Sequence, residues 1–467
     1  MFASLISSIS GFMYSKLLII ILIAGGLYFT VRTGFVQFRL FKEGWKVILE
    51  KPEKEGSVSS FQALMVSTGS RVGTGNIVGV ASAICIGGYG AVFWMWLIAI
   101  VGMASAFIES TLAQVYKRRH PDGTSYGGPA YYIEAALGSR PLAMLFAVSM
   151  LLTYGGGFNM LASYNLQSTF SAYSFYNPEI TPWIIGGILA LVIFYCLVGG
   201  GKRIVSLSSA IVPFMGGIYI LVAIIITIMN VDLLPNVLSR IFTEAFDFQA
   251  IFGGFAGSCM MQGIKRGLFS NEAGVGSAPN AAAAADVSHP VKQGLVQMLS
   301  VFIDTVLICT ATALMCLCSG VEPTAEAAGA PYVQTALQAS LGSIGPIFIT
   351  VAMVLFAFTT LIGNFYYVDN LLIYIMKKVP SKQFMLGFRI VASLLIFIGA
   401  GLSMGLVWDI ADVLMGIMAI INIPVIIILG KPAMGALTDY VAQRKAGKNP
   451  VFKAETVGLK GKTDYWQ

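Results

Sequence analysis

Residues 67–77 read Ser67-Thr68-Gly69-Ser70-Arg71-Val72-Gly73-Thr74-Gly75-Asn76-Ile77, and they lie in the middle of an apolar stretch long enough to cross a bilayer. The flanks suit lipid, but the centre holds glycines, hydroxyls, an Asn and a full positive charge. A continuous lipid-facing helix cannot bury these cheaply, because polar groups away from water need partners inside the protein. The stretch therefore reads as a broken helix. In secondary transporters such half-helices meet at the bilayer midplane, where free N–H groups bind an anion and free carbonyls coordinate a cation. Gly69-x-x-x-Gly73 and Gly75-x-x-x-Gly79 also fit close helix packing. Packing accounts for the glycines, but not for Arg71, Thr74 and Asn76 beside them.

The composition agrees with a membrane setting. Of 467 residues 57% are apolar and 11% charged, against about 25% charged in an ordinary globular domain; the mean hydropathy is +0.79. Many separate apolar runs bounded by Gly, Pro or charge imply an all-α polytopic membrane protein rather than a barrel. The net charge of +7 is of the kind that cytoplasmic loops carry to set topology, and nothing points to nucleic acid. Cys85, Cys196, Cys259, Cys309, Cys316 and Cys318 lie in or beside apolar segments without metal-ligand spacing, and His120 and His289 stand alone in loops. No nucleophile–base constellation, resident cofactor or phosphate-binding loop is legible, so an enzyme or an ATP-driven pump is not expected.

Eleven spans are expected, near 17–31, 58–85, 90–116, 141–173, 182–199, 205–230, 250–286, 294–319, 344–376, 386–405 and 409–430. Lys and Arg concentrate in 32–57, 117–119, 202–203, 377–389 and the tail, while 174–181, 231–249 and 320–343 hold only Arg240. That bias puts the N-terminus outside and the C-terminus in the cytoplasm of a cell-membrane protein. Residues 126–140 suggest an interfacial helix, 32–56 either an amphipathic surface helix or a plain connector, and the tail only partial order. Setting span one aside leaves ten spans with internal symmetry. Five spans after the first break comes a second Gly-rich interruption, Gly253-Gly254-Phe255-Ala256-Gly257-Ser258, followed by Gln262-Gly263-Ile264-Lys265-Arg266-Gly267-Leu268-Phe269-Ser270-Asn271-Glu272-Ala273-Gly274. Five being odd, the second half enters from the opposite side, as an inverted repeat. The expected divisions are 1–57 (extra span and connector), 58–230 and 231–430 (the repeats) and 431–467 (the tail).

Residues 66–82 (VSTGSRVGTGNIVGVAS) and 262–285 (QGIKRGLFSNEAGVGSAPNAAAAA) resemble the alanine or glycine:cation symporters of the amino acid, polyamine and organocation superfamily. The resemblance implies a leucine-transporter-type 5+5 inverted repeat with one extra N-terminal helix, and sodium-driven uptake of alanine or glycine. By position, the first break, at Gly73, Thr74 and Gly75, would hold the substrate carboxylate. The second, from Gly257 through Gly263, would offer carbonyls to the ammonium, with Gln262 and Ile264 at the pocket edge. Sodium would sit among carbonyls of Gly69, Val72 and Phe356 and hydroxyls of Thr359 and Thr360. Asn76 matches a ligand of a second sodium in some relatives, although Arg71 stands where those relatives carry a small apolar residue.

The residues themselves add further expectations. Asn159, Ser163, Gln167 and Phe170 recur at helical spacing and either face the site or bond a neighbouring helix. Phe170 and Ile264 would limit the pocket to a methyl-sized side chain, so that trimming either admits valine or leucine. Of the intramembrane charges Arg71, Glu109, Lys265, Arg266, Glu272, Asp304 and Asp369, the acids Glu109 and Glu272 would neutralise Arg71 or the Lys265-Arg266 pair, with Asp304 a further partner; alternatively they are gates. Proton coupling through Glu109 or Asp304 is the rival; the resemblance favours sodium, because proton-coupled relatives of the fold can place a lysine where the sodium would sit, and span six has Lys202 and Arg203 only at its cytoplasmic entrance. A channel is the remaining alternative. The lipid bilayer and the amino acid are the expected partners, and no obligate protein partner is evident.

Overall fold

The computed structural model describes residues 2–119, 123–198, 200–254, 257–459 and 461–466. His120, Phe255 and Ala256 lie outside them, as does the side chain of Lys202. Among the described residues nine helices are long and apolar enough to cross a membrane: Phe2–Arg32, Gly90–Val115, Arg140–Ala172, Thr181–Val198, Arg203–Met229, Pro290–Leu317, Ile344–Met376, Lys382–Ala400 and Met404–Ile428. They occupy the places of spans one, three to six and eight to eleven. Spans two and seven are each divided into shorter pieces.

Span two begins with a capping box: Ser59 Oγ accepts from the Gln62 N–H, and Gln62 Oε1 accepts from the Ser59 N–H (3.1 and 3.0 Å). The helix Ser60–Arg71 stops at Val72, whose ψ of 88° leaves the helical region. The chain then resumes as a wide turn, Gly75–Gly79, and the helix Val80–Gly87. The break therefore falls on Val72, Gly73 and Thr74, where the sequence put it.

In span seven the expected interruption is present between the helices Phe248–Gly253 and Cys259–Asn271, but the break that meets the first one lies further on. The helix Cys259–Asn271 runs intact through Gly263 and Gly267. Those glycines serve close packing: a Cβ on Gly263 would strike the Ala91 carbonyl of span three, and one on Gly267 the side chain of Ile98. Unwinding occurs at 272–277, where Glu272, Gly274 and Gly276 take φ of +51°, +81° and +94°. Left-handed backbone suits glycine and ends a helix. Pro279, in the first turn of the following helix Ala278–Ala284, lacks an N–H and cannot continue a helix from before it.

Span three packs on spans seven and eight, span two on six and nine, and span four on nine and ten. The helix expected at the membrane interface, Pro129–Leu137, is instead packed inward: residues 129–133 are buried and the Tyr132 hydroxyl donates to Asn422 Oδ1 of span eleven. The connector forms two short helices, Val36–Arg39 and Phe41–Ile48. The tail is more ordered than expected, with a helix Gly430–Lys445 and an extension whose Trp466 donates its indole N–H to the Gln114 carbonyl (2.7 Å).

Candidate functional site

The two breaks meet. Helices Ser60–Arg71 and Cys259–Asn271 bring carbonyl ends to the middle of the protein, and the segments starting at Gly75 and Ala278 bring N–H ends. Partial charges of both signs therefore converge there. Arg71 Nε lies 3.8 Å from Glu272 Oε2, with both side chains buried. Arg71 also donates to Ser300 Oγ (3.3 Å), while its Nε and Nη2 have no hydrogen-bond acceptor among the described residues. Glu272 accepts from Ser277 Oγ (2.5 Å). The expected Arg71–Glu272 pairing is thus present.

Between the breaks is a small cavity of about 20 Å³, lined by Ser70, Arg71, Gly73, Thr74 and Gly75, by Phe158, Leu161 and Ala162 of span four, by Phe269 and Glu272, and by Thr360 of span nine. It has room for about one water molecule. Phe269 lies against Gly75, where a Cβ would strike its ring, and packs at a tilt on Phe158 and edge-on against Trp408 (centroids 4.9 and 4.8 Å). Of the residues expected at a substrate pocket, Gly73, Thr74 and Gly75 line it. The Gly73 N–H is occupied by Asn76 Oδ1 (2.9 Å), and Thr74 Oγ1 accepts from Asn165 Nδ2 (3.0 Å).

The other expected lining residues are not at this cavity. Ile264 lines an apolar cleft with Ile23, Leu27 and Val101, on the side of spans one and three. Gln262 packs against Gly87 at the far end of span two, and Gly257 lines a surface hollow with Glu244 and Asp247. Gln167 accepts from the Tyr176 hydroxyl (3.0 Å), and Phe170, in the turn Thr169–Ala172, faces the rings of Tyr173 and Phe175. Of that stripe, Asn159 is tied in by accepting from Asn364 Nδ2 (2.8 Å), and Asn364 Oδ1 accepts from Ser70 Oγ (2.7 Å). Ser163 is buried without a partner. A single helical face is the wrong template for span four, because both Asn159 and Asn165 point to buried partners.

The hydroxyl pair on span nine splits. Thr359 bonds back to the carbonyls of Leu355 and Phe356 (3.0 and 3.2 Å), the usual use of a Thr in a membrane helix. Thr360 Oγ1 is buried without a hydrogen-bond partner among the described residues and lines the cavity beside Gly73. Gly69 approaches Val212 and Ser208 of span six, and Ser208 Oγ is likewise buried with no hydrogen-bond partner among the described residues. Val72 and Phe356 flank these groups; the Phe356 ring packs on Tyr219 (5.2 Å).

Asn76 points away from the cavity. Its Nδ2 donates to Asp304 Oδ1 (2.8 Å) and Ser270 Oγ (3.0 Å). Asp304, on the wide-turn segment Phe302–Cys309, also accepts from Ser270 Oγ and from Thr305 Oγ1. Glu109 accepts from the Gly274 N–H (3.3 Å) and Asn422 Nδ2 (2.8 Å). It therefore holds the second break rather than Lys265 or Arg266. Those two pair with Asp412 of span eleven (2.8 and 3.3 Å), a carboxylate absent from the expected set; Ser10 Oγ of span one accepts from Lys265 (3.1 Å). Asp412 stood in the sequence as an acid inside an apolar run, the same signal that marked Asp304.

Comparison with known proteins agrees with this architecture. The amino acid carrier AlsT of Bacillus subtilis is 46% identical over 468 residues, covering 100% of this chain and 98% of its own. From the same organism, the protein named "Probable sodium/glutamine symporter GlnT" is 43% identical over 97% of this chain and 94% of its own. Among solved structures, MhsT in complex with L-phenylalanine superposes with a TM-score of 0.51 at 16% identity, covering 88% of this chain and 97% of its own. The fold is thus the leucine-transporter type, and the protein is a carrier rather than an enzyme. The family model described as the sodium:alanine symporter family matches residues 1–454, and the chain belongs to that family.

Proposed function

We propose that this carrier couples inward sodium movement to uptake of a small neutral amino acid, alanine or glycine, by alternating access. The observation that carries the reading is the meeting of two helix breaks around a cavity of about 20 Å³. So small a space favours a methyl or hydrogen side chain over a glutamine-sized one. At this volume even alanine requires the walls to part. The Thr74 and Gly75 N–H groups would take the substrate carboxylate, joined by Gly73 once Asn76 releases it. The ammonium would face the carbonyl end at 272–277 and Glu272, in place of the Gly257–Gly263 stretch.

Sodium fits the oxygens left over around the first break. Thr360 and Ser208 are buried hydroxyls without partners, next to Gly73 and Gly69; unpaired buried oxygens cost free energy that a cation would recover. Carbonyls of Gly69, Val72 and Phe356 would complete the shell, with Thr359 in support. Arg71, Glu109, Glu272 and Asp304 form the charge network that ties the breaks together. Proton coupling is the second reading, because Asp304 is buried among hydroxyl and amide donors rather than an ion pair. Residues 58–230 and 231–430 would be the inverted repeats, 1–57 the added span and connector, and 431–467 the tail, with the N-terminus outside and the C-terminus cytoplasmic.

The test is uptake of labelled alanine into proteoliposomes. An inward sodium gradient is compared with a choline control and with a pH gradient alone. Accumulation with sodium only supports the proposal. Accumulation with the pH gradient alone moves coupling to Asp304 or Glu109. Folded protein that accumulates alanine under neither gradient refutes the substrate, and glutamine is then the next one to assay.

A further inference from the structure

Span one ends at Arg32, and the chain turns through Gly34 (φ +62°) into the helix Val36–Arg39 while the helix Gly430–Lys445 lies beside it. Between them is a groove of about 470 Å³, with apolar walls from Val31, Met434, Leu437 and Val441 and with three cations, Arg32, Arg39 and Lys445. Among the described residues no acidic residue lines it. Met434, Leu437, Val441 and Lys445 follow one another at helical spacing, so they present one face. Arg39 is held in place by donating from Nη2 to the Thr33 carbonyl (3.0 Å). A second hollow of about 410 Å³ adjoins over Arg39 and Lys445, and its extra cation, Arg444, is neutralised by Glu43 (2.8 Å).

The depth of the groove decides what it holds. Arg32 closes a membrane-spanning helix, which puts the groove at headgroup level. Val31 and Leu27, both largely exposed on span one, lead from it into the hydrocarbon. We propose that the groove binds an anionic phospholipid, its phosphate held by Arg32, Arg39 and Lys445 and one acyl chain lying along Val31 and Leu27. A zwitterionic headgroup fits worse, because its ammonium would meet three cations and no acid. Bound there, the lipid joins span one, which has no partner in the repeat, to the helix that follows span eleven.

The experiment uses the full-length purified protein in neutral detergent, with thermal unfolding followed as phosphatidylglycerol or phosphatidylcholine is added. Phosphatidylglycerol should raise the midpoint and phosphatidylcholine should not. Its apparent affinity should fall about fivefold per charge removed, roughly a hundredfold in R32Q/R39Q/K445Q. The control K42Q/K46Q/K448Q removes three cations outside the groove and should keep the response. Equal responses to both lipids, or equal loss in both triple variants, would overturn the site. A matching midpoint rise with soluble glycerol phosphate would also overturn it, by making the ligand a free phosphate. Should the first variant fail to fold, Arg39→Gln alone is scored by counting lipids retained in native mass spectrometry; retention equal to wild type refutes the proposal.

Discussion

Replacing Phe269 by Ala should widen the substrate range. The ring closes the cavity over Gly75 and packs on Phe158 and Trp408, so its removal opens space that begins at only about 20 Å³. A leucine side chain then gains burial instead of steric overlap, worth about 1.5–3 kcal/mol, or roughly 10- to 150-fold in affinity. The cost is stability: truncating a packed Phe removes about 3–5 kcal/mol, and this partly exposed ring should fall at the low end. The assay is inhibition of labelled alanine uptake by unlabelled leucine and valine, in proteoliposomes of equal protein content. Leucine should compete at least ten times better with Phe269→Ala than with wild type. Ile264→Ala is the internal control, because Ile264 faces Ile23, Leu27 and Val101 on the other side of its helix. If Ile264→Ala broadens the competition profile and Phe269→Ala does not, the pocket has been drawn on the wrong face.

Other consequences follow from the same geometry. Thr360→Ala should raise the sodium concentration for half-maximal uptake several-fold, and Thr359→Ala should do so less, since only Thr359 is already satisfied by carbonyls of its own helix; sodium titrations of the two variants check the order. Asp412→Ala should cost about 3–5 kcal/mol of stability, because it leaves Lys265 and Arg266 without their carboxylate, and a lower unfolding midpoint would register it. Acid should loosen the tail. Burial against Tyr440 and Phe452 pulls His289 below the ordinary histidine range, with Asp439 opposing. A depressed folded value means that the docked form resists protonation. Docking is therefore unaffected above about pH 6.5 and weakens as pH falls below it; limited proteolysis of 453–462 should be faster at pH 5 than at pH 7.5.

Much of the architecture was legible because it rests on signals that do not depend on distant partners. Span length, loop charge and the mixture of Gly, Arg and Asn at 69–76 each report a local requirement of the bilayer. What the sequence withholds is which of two jobs a glycine does. Gly263 and Gly267 are small because span three presses against them, whereas Gly274 and Gly276 are glycine because the backbone there is left-handed. Both kinds look alike in a string of letters. The distinguishing signal at 271–279 was nevertheless present: an Asn-Glu-Ala-Gly helix end followed by Ser277 and Pro279, which mark a new start.

That one ambiguity explains why several of the expected residues lie away from the cavity between the breaks. Putting the second break at 257–263 instead of 272–277 moves the pocket along the membrane normal, towards the end of the bundle where Gly87, Glu244 and Gly257 lie together. On span seven the pocket wall then falls on Ile264 rather than Phe269, five residues and about 7.5 Å along the helix. On span four the same displacement selects Gln167 and Phe170, at the end near Tyr173, in place of Phe158, Leu161 and Ala162. The first break suffered no such shift, because Arg71 and Asn76 fix its depth chemically: each must reach a buried partner, and those partners, Glu272 and Asp304, lie about 200 residues away in the second repeat. Repeat symmetry identifies which two segments meet. Only the charged and amide side chains that must be satisfied between them identify at what depth.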